Sequence, residues 1–352
     1  QNVILNVNEQ LKSDGTRTLP HAGALAGLDN AGTVSRNTVS GLTINLTAPV
    51  GYEVDSTQIG GLIGTAQAPV LVGLNSVNGV TLNGAPYAKL IGLDNRTYKV
   101  VNATKMIGYT TIQAAINAAT NGDTIMVFAG TYVEDVTVVN KYFTLIGEVD
   151  GSGASTSILE GTLSIDNPTV SPEFTTIKNI YFEGTDNHLL ILKNLNGGLI
   201  ENCVFDGNGR FMTPTVMNGI SAVSSPNGQQ FTVKDSLFKD GLYTGIGGYA
   251  TDVTVEDSTF TNVKSGINLA GGANLTVTNV DFSVVAQGAT SDTYGIRLGS
   301  DGLGSGKQLT VTNSTFAVNK NGFIATPDPV TGVHTYHSAI ILRAGVDGAT
   351  ST

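Results

Sequence analysis

The chain has 352 residues, of which 40% are apolar and only 13% are charged, and its formal net charge is −10. The apolar share supports a sizeable core and argues against wholesale disorder. The scattered Lys and Arg residues argue against nucleic-acid binding, which needs clustered cations, and no apolar run is long enough to predict a membrane span.

Residues 1–104 contain short alternating segments and no repeat that we recognise. The alternating stretches are 3–7, 42–46, 70–74, 80–82 and 98–101. Turn residues such as Asn83 and Gly84 separate them. Several short strands with turn signals predict a β-sandwich-like N-terminal domain over residues 1–104.

The first of these strands lies at the extreme terminus and carries Val3, Leu5 and Val7 on one face. A free terminal strand either pairs within its own domain or completes the sheet of a neighbouring copy. Both outcomes stay open, and the second would make Val3, Leu5 and Val7 an assembly strand.

Residues 109–122 carry the pattern of a short amphipathic helix. Apolar residues recur at helical spacing at Ile112, Ala115, Ile116 and Ala119. Thr110 or Thr111 can cap the start, and Asn121 followed by Gly122 ends the pattern. Such a helix, placed before a repetitive β structure, would cover the open end of its first coil.

This helix and the motifs after it resemble the opening of pectin methylesterases and of the wider pectate-lyase-like superfamily of right-handed β-helices. The matching motifs are Gly-Asp-Thr-Ile at 122–125, Gly-Thr-Tyr-Val-Glu at 130–134 and Leu-Ile-Gly at 145–147. The resemblance implies the fold, a right-handed parallel β-helix. It does not extend to activity, because the chain lacks Trp and the catalytic Asp, Arg and Gly-His-Gly motifs of these enzymes.

A hexapeptide pattern repeats six times in the second half of the chain. In each copy an aliphatic residue is followed two positions later by Asn or Asp and five positions later by Phe. The copies occupy residues 177–182, 200–205, 233–238, 255–260, 277–282 and 311–316. A second short apolar strand follows each copy, usually after a glycine such as Gly245 or Gly266.

A repeat of about 22 residues without a helix pattern cannot bury its own strands, so successive repeats must stack. We therefore predict an all-β fold, a right-handed parallel β-helix over residues 105–352, with six coils recognisable from the repeat and two or three before them. Thr232, Thr254, Thr276 and Thr310 occupy one position of the repeat and should form an outward column.

The polar position of the repeat predicts a structural ladder of stacked turn side chains. Its members are Asn179, Asn202, Asp235, Asp257, Asn279 and Asn313. The alternative is a calcium row that uses Asp235 and Asp257, but calcium takes six to eight oxygens and the glycine-rich calcium repeat is missing. We predict no cofactor, with calcium as the alternative.

Three longer insertions fall at the same turn of the repeat, so their residues should line one edge of the helix. The residues suited to contact a carbohydrate or a protein partner are Arg210, Phe211, Tyr294, His334, Tyr336 and His337. The alternative is that these loops only decorate the edge or pack against a neighbour. No catalytic residue and no complete metal site is predicted, since two His alone do not hold zinc.

The composition favours a secreted or cell-surface protein, and the start at Gln1 suggests a processed mature chain. We predict that the single cysteine, Cys203, is a small buried apolar residue. We predict a non-catalytic structural protein: a surface-layer or filament subunit that binds copies of itself, or an adhesin-like stalk. The alternative is a polysaccharide-active lyase or esterase, or a carbohydrate-binding module.

Overall fold

A computed structural model describes residues 3–13, 17–29, 33–35, 37–50, 52–66, 71–73, 76–87, 89, 91–150, 152–167, 174–184, 188–209, 217–223, 229–285, 293–298, 308–319 and 337–342. The chain forms two compact units. The N-terminal unit comprises residues 1–115, 123–129 and 147–156, and the C-terminal unit comprises 116–122, 130–146 and 157–352. The boundary predicted between residues 104 and 105 therefore falls inside the N-terminal unit.

The described elements before and within the helical segment are β1 (Val3–Asn8), β2 (Gln10–Leu11), β3 (Arg17–Thr18), β4 (Ala26–Asp29), β5 (Thr33–Ser35), β6 (Thr38–Ser40), β7 (Leu42–Thr47), β8 (Ile63–Ala66), β9 (Leu71–Gly73), β10 (Ser76–Asn78), β11 (Thr81–Leu82), β12 (Ala85–Pro86), β13 (Ile91–Asp94), β14 (Val100–Asn102), β15 (Ile107–Tyr109) and α1 (Ile112–Ala118).

The elements after the helix are β16 (Thr124–Val127), β17 (Gly130–Val133), β18 (Val136–Val139), β19 (Thr144–Gly147), β20 (Ser157–Glu160), β21 (Leu163–Asp166), β22 (Thr175–Lys178), β23 (Ile180–Glu183), β24 (Leu190–Lys193), β25 (Asn196–Glu201), β26 (Val204–Asp206), β27 (Asn218–Val223), β28 (Gln229–Lys234), β29 (Leu237–Lys239), β30 (Thr244–Tyr249), β31 (Thr251–Glu256), β32 (Thr259–Val263), β33 (Ser265–Ala270), β34 (Leu275–Thr278), β35 (Asp281–Val285), β36 (Thr293–Leu298), β37 (Leu309–Thr312), β38 (Thr315–Asn319) and β39 (His337–Leu342).

Most strands of the N-terminal unit pair in parallel with a strand one coil further along the chain. β1 pairs with β7 and β7 with β11, while β4 pairs with β8 and β8 with β13, all in parallel. β6 with β10 and β5 with β9 are also parallel. The predicted β-sandwich is therefore wrong, because a sandwich is built from antiparallel strands. The alternating pattern located strands such as β1 and β7 but carries no information on their direction.

Two features hold these coils together. The inward residues of β7, Leu42, Ile44 and Leu46, are almost fully buried in one apolar cluster with Ile59 and Val80. A column of glycines lets backbones approach closely: a Cβ on Gly64 would lie 2.5 Å from the carbonyl oxygen of Gly27, and one on Gly92 would lie 2.3 Å from that of Gly64.

The predicted helix is present as α1. Thr111 Oγ1 accepts a hydrogen bond from the Ala114 amide at 3.1 Å, which caps the first turn. Lys141 Nζ donates to the carbonyl oxygens of Ile116 and Asn117 at 2.7 and 2.6 Å, so a cation neutralises the carbonyl end of the helix. In the described part of the chain, no helix has the length and apolar character of a membrane span.

The C-terminal unit is a parallel β-helix of eight coils, which confirms the predicted fold class. Its strands form three parallel sheets. Sheet A runs β19-β22-β25-β28-β31-β34-β37, sheet B runs β17-β20-β23-β26-β29-β32-β35-β38, and sheet C runs β18-β21-β24-β27-β30-β33-β36-β39. Among the described strands, sheets B and C gain one strand in each of the eight coils and sheet A gains one in each of the last seven. Two coils precede the six that carry the repeat.

The Phe of the repeat forms a continuous stack inside the helix. The rings of Phe182, Phe205, Phe238, Phe260, Phe282 and Phe316 have successive centroid distances of 4.9, 4.7, 4.5, 4.8 and 4.8 Å. The glycine near the start of the sheet C strand faces these rings: a Cβ on Gly245 of β30 would lie 2.4 Å from Phe260 Cε1. Ring and glycine are therefore two parts of one packing unit, which explains the small residue seen in the repeat.

Candidate functional site

Most of the predicted edge residues lie outside the described residues. Arg210, Phe211, His334 and Tyr336 fall there, and His337 is the first residue of β39. Carbohydrate or partner contact through these residues stays a prediction.

Tyr294 is placed differently from the edge position that the sequence suggested. It lies within β36, where it pairs with Ser265 of β33 and Ser338 of β39, and its side chain is only 3% exposed. The Arg297 guanidinium carbon lies 5.7 Å from its ring centroid. A buried ring in sheet C cannot line an open cleft, so Tyr294 is not a contact residue in this structure.

The polar column of the repeat lies at the turn between sheets A and B. All six members have positive φ, from 48° at Asp235 to 59° at Asn179. Asn and Asp tolerate this left-handed conformation better than other side chains with a Cβ. Asn202 Nδ2 donates to Asn179 Oδ1 at 2.9 Å, and Asn279 Nδ2 donates to Asp257 Oδ1 at 3.1 Å. Turn geometry and stacking together account for these residue types.

The terminal strand β1 pairs with β7 of the same chain from Val3↔Leu42 to Asn8↔Thr47. Val7 is buried and Leu5 packs against the same cluster, whereas Ile4 is 64% exposed. The strand therefore has a place within its own unit. Its exchange between copies stays a prediction.

A cluster of charged groups lies on the outer face of sheet B. Asp206 accepts hydrogen bonds from the Tyr181 hydroxyl and from Lys239 Nζ at 2.7 Å, and Lys239 Nζ also lies 3.1 Å from Asp240 Oδ2. Burial and the bond to Asp206 raise the pKa of Tyr181 to about 12. Burial lowers the pKa of Lys239, but its hydrogen bonds to Asp206 and Asp240 outweigh this effect and raise it.

These shifts decide what the sheet B cluster can do chemically. Tyr181 and Lys239 both hold their protons firmly at neutral pH, so neither serves as a general base. Asp206 is already occupied by two donors. The cluster is a satisfied network that fixes one face of the helix, and it does not contain an acid and a base with separated roles.

The N-terminal unit contains a cavity of about 460 Å³ lined by charged side chains. Arg96 binds Asp94 through two hydrogen bonds of 2.9 Å, and Lys99 Nζ lies 2.8 Å from Asp94 Oδ2. Burial favours protonation of Asp94, but Arg96 and Lys99 outweigh it and lower the pKa of Asp94. Burial raises the pKa of Glu148, which accepts a hydrogen bond from the Ala129 amide.

The guanidinium of Arg96 also stacks on Phe128, with its central carbon 3.9 Å from the ring centroid. Its charge is neutralised by Asp94 and its plane is covered by an aromatic face. Among the described residues of this cavity, Asp94, Arg96 and Lys99 are therefore held in one ion-pair network. Among all described residues, no group of three or more His, Cys, Asp or Glu side chains is placed to hold a metal ion.

The outer face of sheet A is a regular array of polar columns. Thr232, Thr254, Thr276 and Thr310 occupy equivalent positions in adjacent strands, as the repeat predicts. A second outward-facing column, on β22, β25, β28 and β31, alternates in charge through Lys178, Glu201, Lys234 and Glu256. Lys178 pairs with Glu201 across one coil spacing. Opposite charges on neighbouring strands stabilise the face and leave it nearly neutral.

A groove of about 220 Å³ interrupts this face. The groove runs from Phe174 over Gly197 and Gly198 to Gln230 of β28, Asp252 of β31 and Asn274, which directly precedes β34. Sequence reasoning missed it. The signal was a pair of glycines with one extra residue in the β25 copy of the repeat, where neighbouring copies have a regular strand.

Comparison with known proteins identifies the fold of the second half of the chain. Residues 170–282 and 215–342 match the family model described as a right handed beta helix region. The match covers coils of the C-terminal unit and fits its stacked parallel sheets. Neither the curated proteins nor the solved structures that were compared give a significant match.

Proposed function

We propose that this chain, whose residues 170–342 match a right-handed β-helix, is a non-catalytic extracellular structural protein. It serves as a self-assembling subunit of a surface layer or filament, or as an adhesin-like stalk. The observation that carries this proposal is the continuous stacking of three parallel sheets, of seven, eight and eight strands, along the described part of the C-terminal unit. Such an array is stabilised by contacts between neighbours and forms a stiff support.

The pairing of the charged side chains supports a non-catalytic role. In the described residues of the C-terminal unit, Lys239 pairs with Asp206, which also accepts a hydrogen bond from the Tyr181 hydroxyl. One outward column of sheet A alternates in the sign of its charge. The scarcity of Lys, the single Cys and the abundance of Thr, Asn and Gly fit a protein displayed outside the cell. Copies of the same chain are the partners that this proposal implies.

Assembly is tested by negative-stain electron microscopy of three proteins: the full chain, a chain lacking residues 1–10, and Ile4→Ser. Removal of β1 uncovers the edge of β7, whereas Ile4→Ser changes an exposed side chain and keeps the strand. Filaments or sheets formed by the full chain and by Ile4→Ser, but not by the chain lacking residues 1–10, would support assembly through the terminal strand. Ordered assemblies from all three would support a structural subunit joined elsewhere, and monodisperse particles from all three would refute self-assembly.

The second candidate function is carbohydrate binding, or action on a polysaccharide. The observation that favours it is the groove on sheet A, which combines an exposed aromatic ring with hydroxyl, amide and carboxylate groups. Incubation with pectin and alginate, followed by measurement of unsaturated products and released methanol, separates an enzyme from a binding module. Product formation above that of a heat-inactivated sample would contradict the non-catalytic proposal.

A further inference from the structure

We propose that the groove on the outer face of sheet A binds a neutral polysaccharide chain that lies along the axis of the β-helix. This inference rests on the second candidate function and names its site and its class of ligand. It does not depend on whether the protein assembles into filaments. The groove lies entirely within the C-terminal unit and uses described residues only.

The groove exists because one strand carries an extra residue. Asn196 pairs with Gln230 and Leu199 pairs with Thr232, so β25 has two residues between these pairs where β28 has one. Bulges of this kind bend a strand and occur beside functional sites. Gly197 lies in the bulge with φ of 105°, a conformation that a residue with a Cβ rarely adopts.

Phe174 forms an open aromatic platform on this bulge. A Cβ on Gly197 would lie 2.9 Å from Phe174 Cε1, so the ring rests directly on the glycine backbone. Phe174 is nevertheless 65% exposed. The ring is thus held from below and open to solvent above, the arrangement that suits the apolar face of a sugar ring.

Polar groups continue the groove at regular intervals beyond the ring. Gln230 and Asp252 lie in one column, and Thr232, Thr254 and Thr276 lie in the next. Adjacent strands of a sheet are about 4.8 Å apart, which is close to the length of one sugar residue in an extended polysaccharide. A chain lying along the axis can therefore place successive hydroxyl groups against successive strands.

The donors and acceptors of the groove are partly fixed before a ligand binds. The Asp252 carboxylate accepts hydrogen bonds from the Asn274 amide nitrogen at 2.7 Å and from Asn274 Nδ2 at 2.8 Å. These bonds fix the orientation of the carboxylate within the groove. Fixed polar groups lose little freedom on binding.

Charge selects among polysaccharides. Asp252 is the only ionisable residue that lines the described groove, and it is a carboxylate. No Lys, Arg or His lines the described groove, so a uronate or a sulfated sugar would find no cation there to pair with, whereas a neutral sugar needs none. From Phe174 to Asn274 the groove crosses five strands, roughly 19 Å at the spacing of a sheet. The site is therefore long enough for about four sugar residues of a neutral glycan.

Affinity electrophoresis tests this inference with the full chain. The gels contain hydroxyethylcellulose, laminarin or galactomannan as neutral probes, and polygalacturonate as the anionic probe. The variants are Phe174→Ala, Phe174→Tyr and Tyr249→Ala. Tyr249 is a matched control, because it is an aromatic residue 47% exposed on sheet C whose ring also lies on a glycine of positive φ, Gly271.

We expect at least one neutral glycan to retard the wild-type protein and polygalacturonate to retard it less. Phe174→Ala should weaken binding about tenfold, whereas Phe174→Tyr and Tyr249→Ala should bind like the wild type. Unchanged melting temperatures would show that Phe174→Ala retains the fold. Absence of retardation by all three neutral glycans, equal binding by Phe174→Ala, or tighter binding to polygalacturonate would overturn the inference. Filaments seen alongside a negative gel result would refute the groove and leave the structural proposal standing.

Discussion

The Phe stack makes a quantitative prediction about stability. Phe260 is fully buried and lies between Phe238 and Phe282, with centroid distances of 4.5 and 4.8 Å. Phe→Ala substitutions in cores cost about 3–5 kcal/mol, and each aromatic pair contributes about 0.5–1.5 kcal/mol beyond its buried area. With two ring neighbours and no exposure, Phe260→Ala should lie near the upper limit, at about 5 kcal/mol.

Phe316→Ala is the matched comparison in the same stack. Phe316 has one ring neighbour among the described residues, Phe282 at 4.8 Å, and its side chain is partly exposed. Its loss should cost about 2 kcal/mol less than the loss of Phe260. Urea unfolding followed by circular dichroism measures both variants, and hydrogen exchange locates the destabilised coils. Equal losses at the two positions, or a loss below about 2 kcal/mol for Phe260→Ala, would refute the idea that continuous stacking stabilises the helix.

Three further predictions concern single side chains. Burial raises the pKa of Cys203 to about 12, so a thiol reagent should react with the folded protein only as fast as it unfolds, and rapid reaction in native buffer would contradict this. Burial lowers the pKa of His188, whose Nδ1 accepts a hydrogen bond from the Asn218 amide. The unfolded chain then binds the proton more readily, so urea midpoints should fall as the pH drops below about 6.5, and less so in His188→Gln. Asn202 has φ of 51°, so thermal unfolding should show a loss of about 1–2 kcal/mol for Asn202→Ala and a smaller loss for Asn202→Gly.

The fold of the C-terminal unit can be predicted from the sequence because the same residue types recur at the same position of each coil. Phe occupies one interior position in six coils, and Asn or Asp occupies the turn with positive φ before it. In the two earlier coils Tyr132 and Leu159 occupy the same position as Phe182. Because these two coils lack the Phe, the repeat does not reveal them. The resemblance of residues 122–147 to other β-helices nevertheless indicates where the first of them lies.

The N-terminal unit shows where local patterns are insufficient. Alternation at β1 and β7 predicts strands, but parallel and antiparallel partners bury the same alternating residues. The stacked glycines Gly27, Gly64 and Gly92 were the available sign of coils, but unequal connections between them hide the period. The groove on sheet A was missed for a related reason, since Phe174 and Asp252 are 78 positions apart in sequence and meet only through the stacking of coils.

The direction of the hydrogen bonds between coils has a mechanical consequence for the C-terminal unit. These bonds join strands of successive coils and so lie along the axis of the β-helix. A force that pulls on the chain from one end of this unit loads the bonds of the terminal coil first and separates them one after another. Phe260 and Phe282 are 22 residues apart, so a coil of this length releases roughly 75 Å of extended chain when it detaches, and the longer coils release more. Under tension the unit would lengthen in discrete steps and dissipate work at each one, while the remaining coils keep their register.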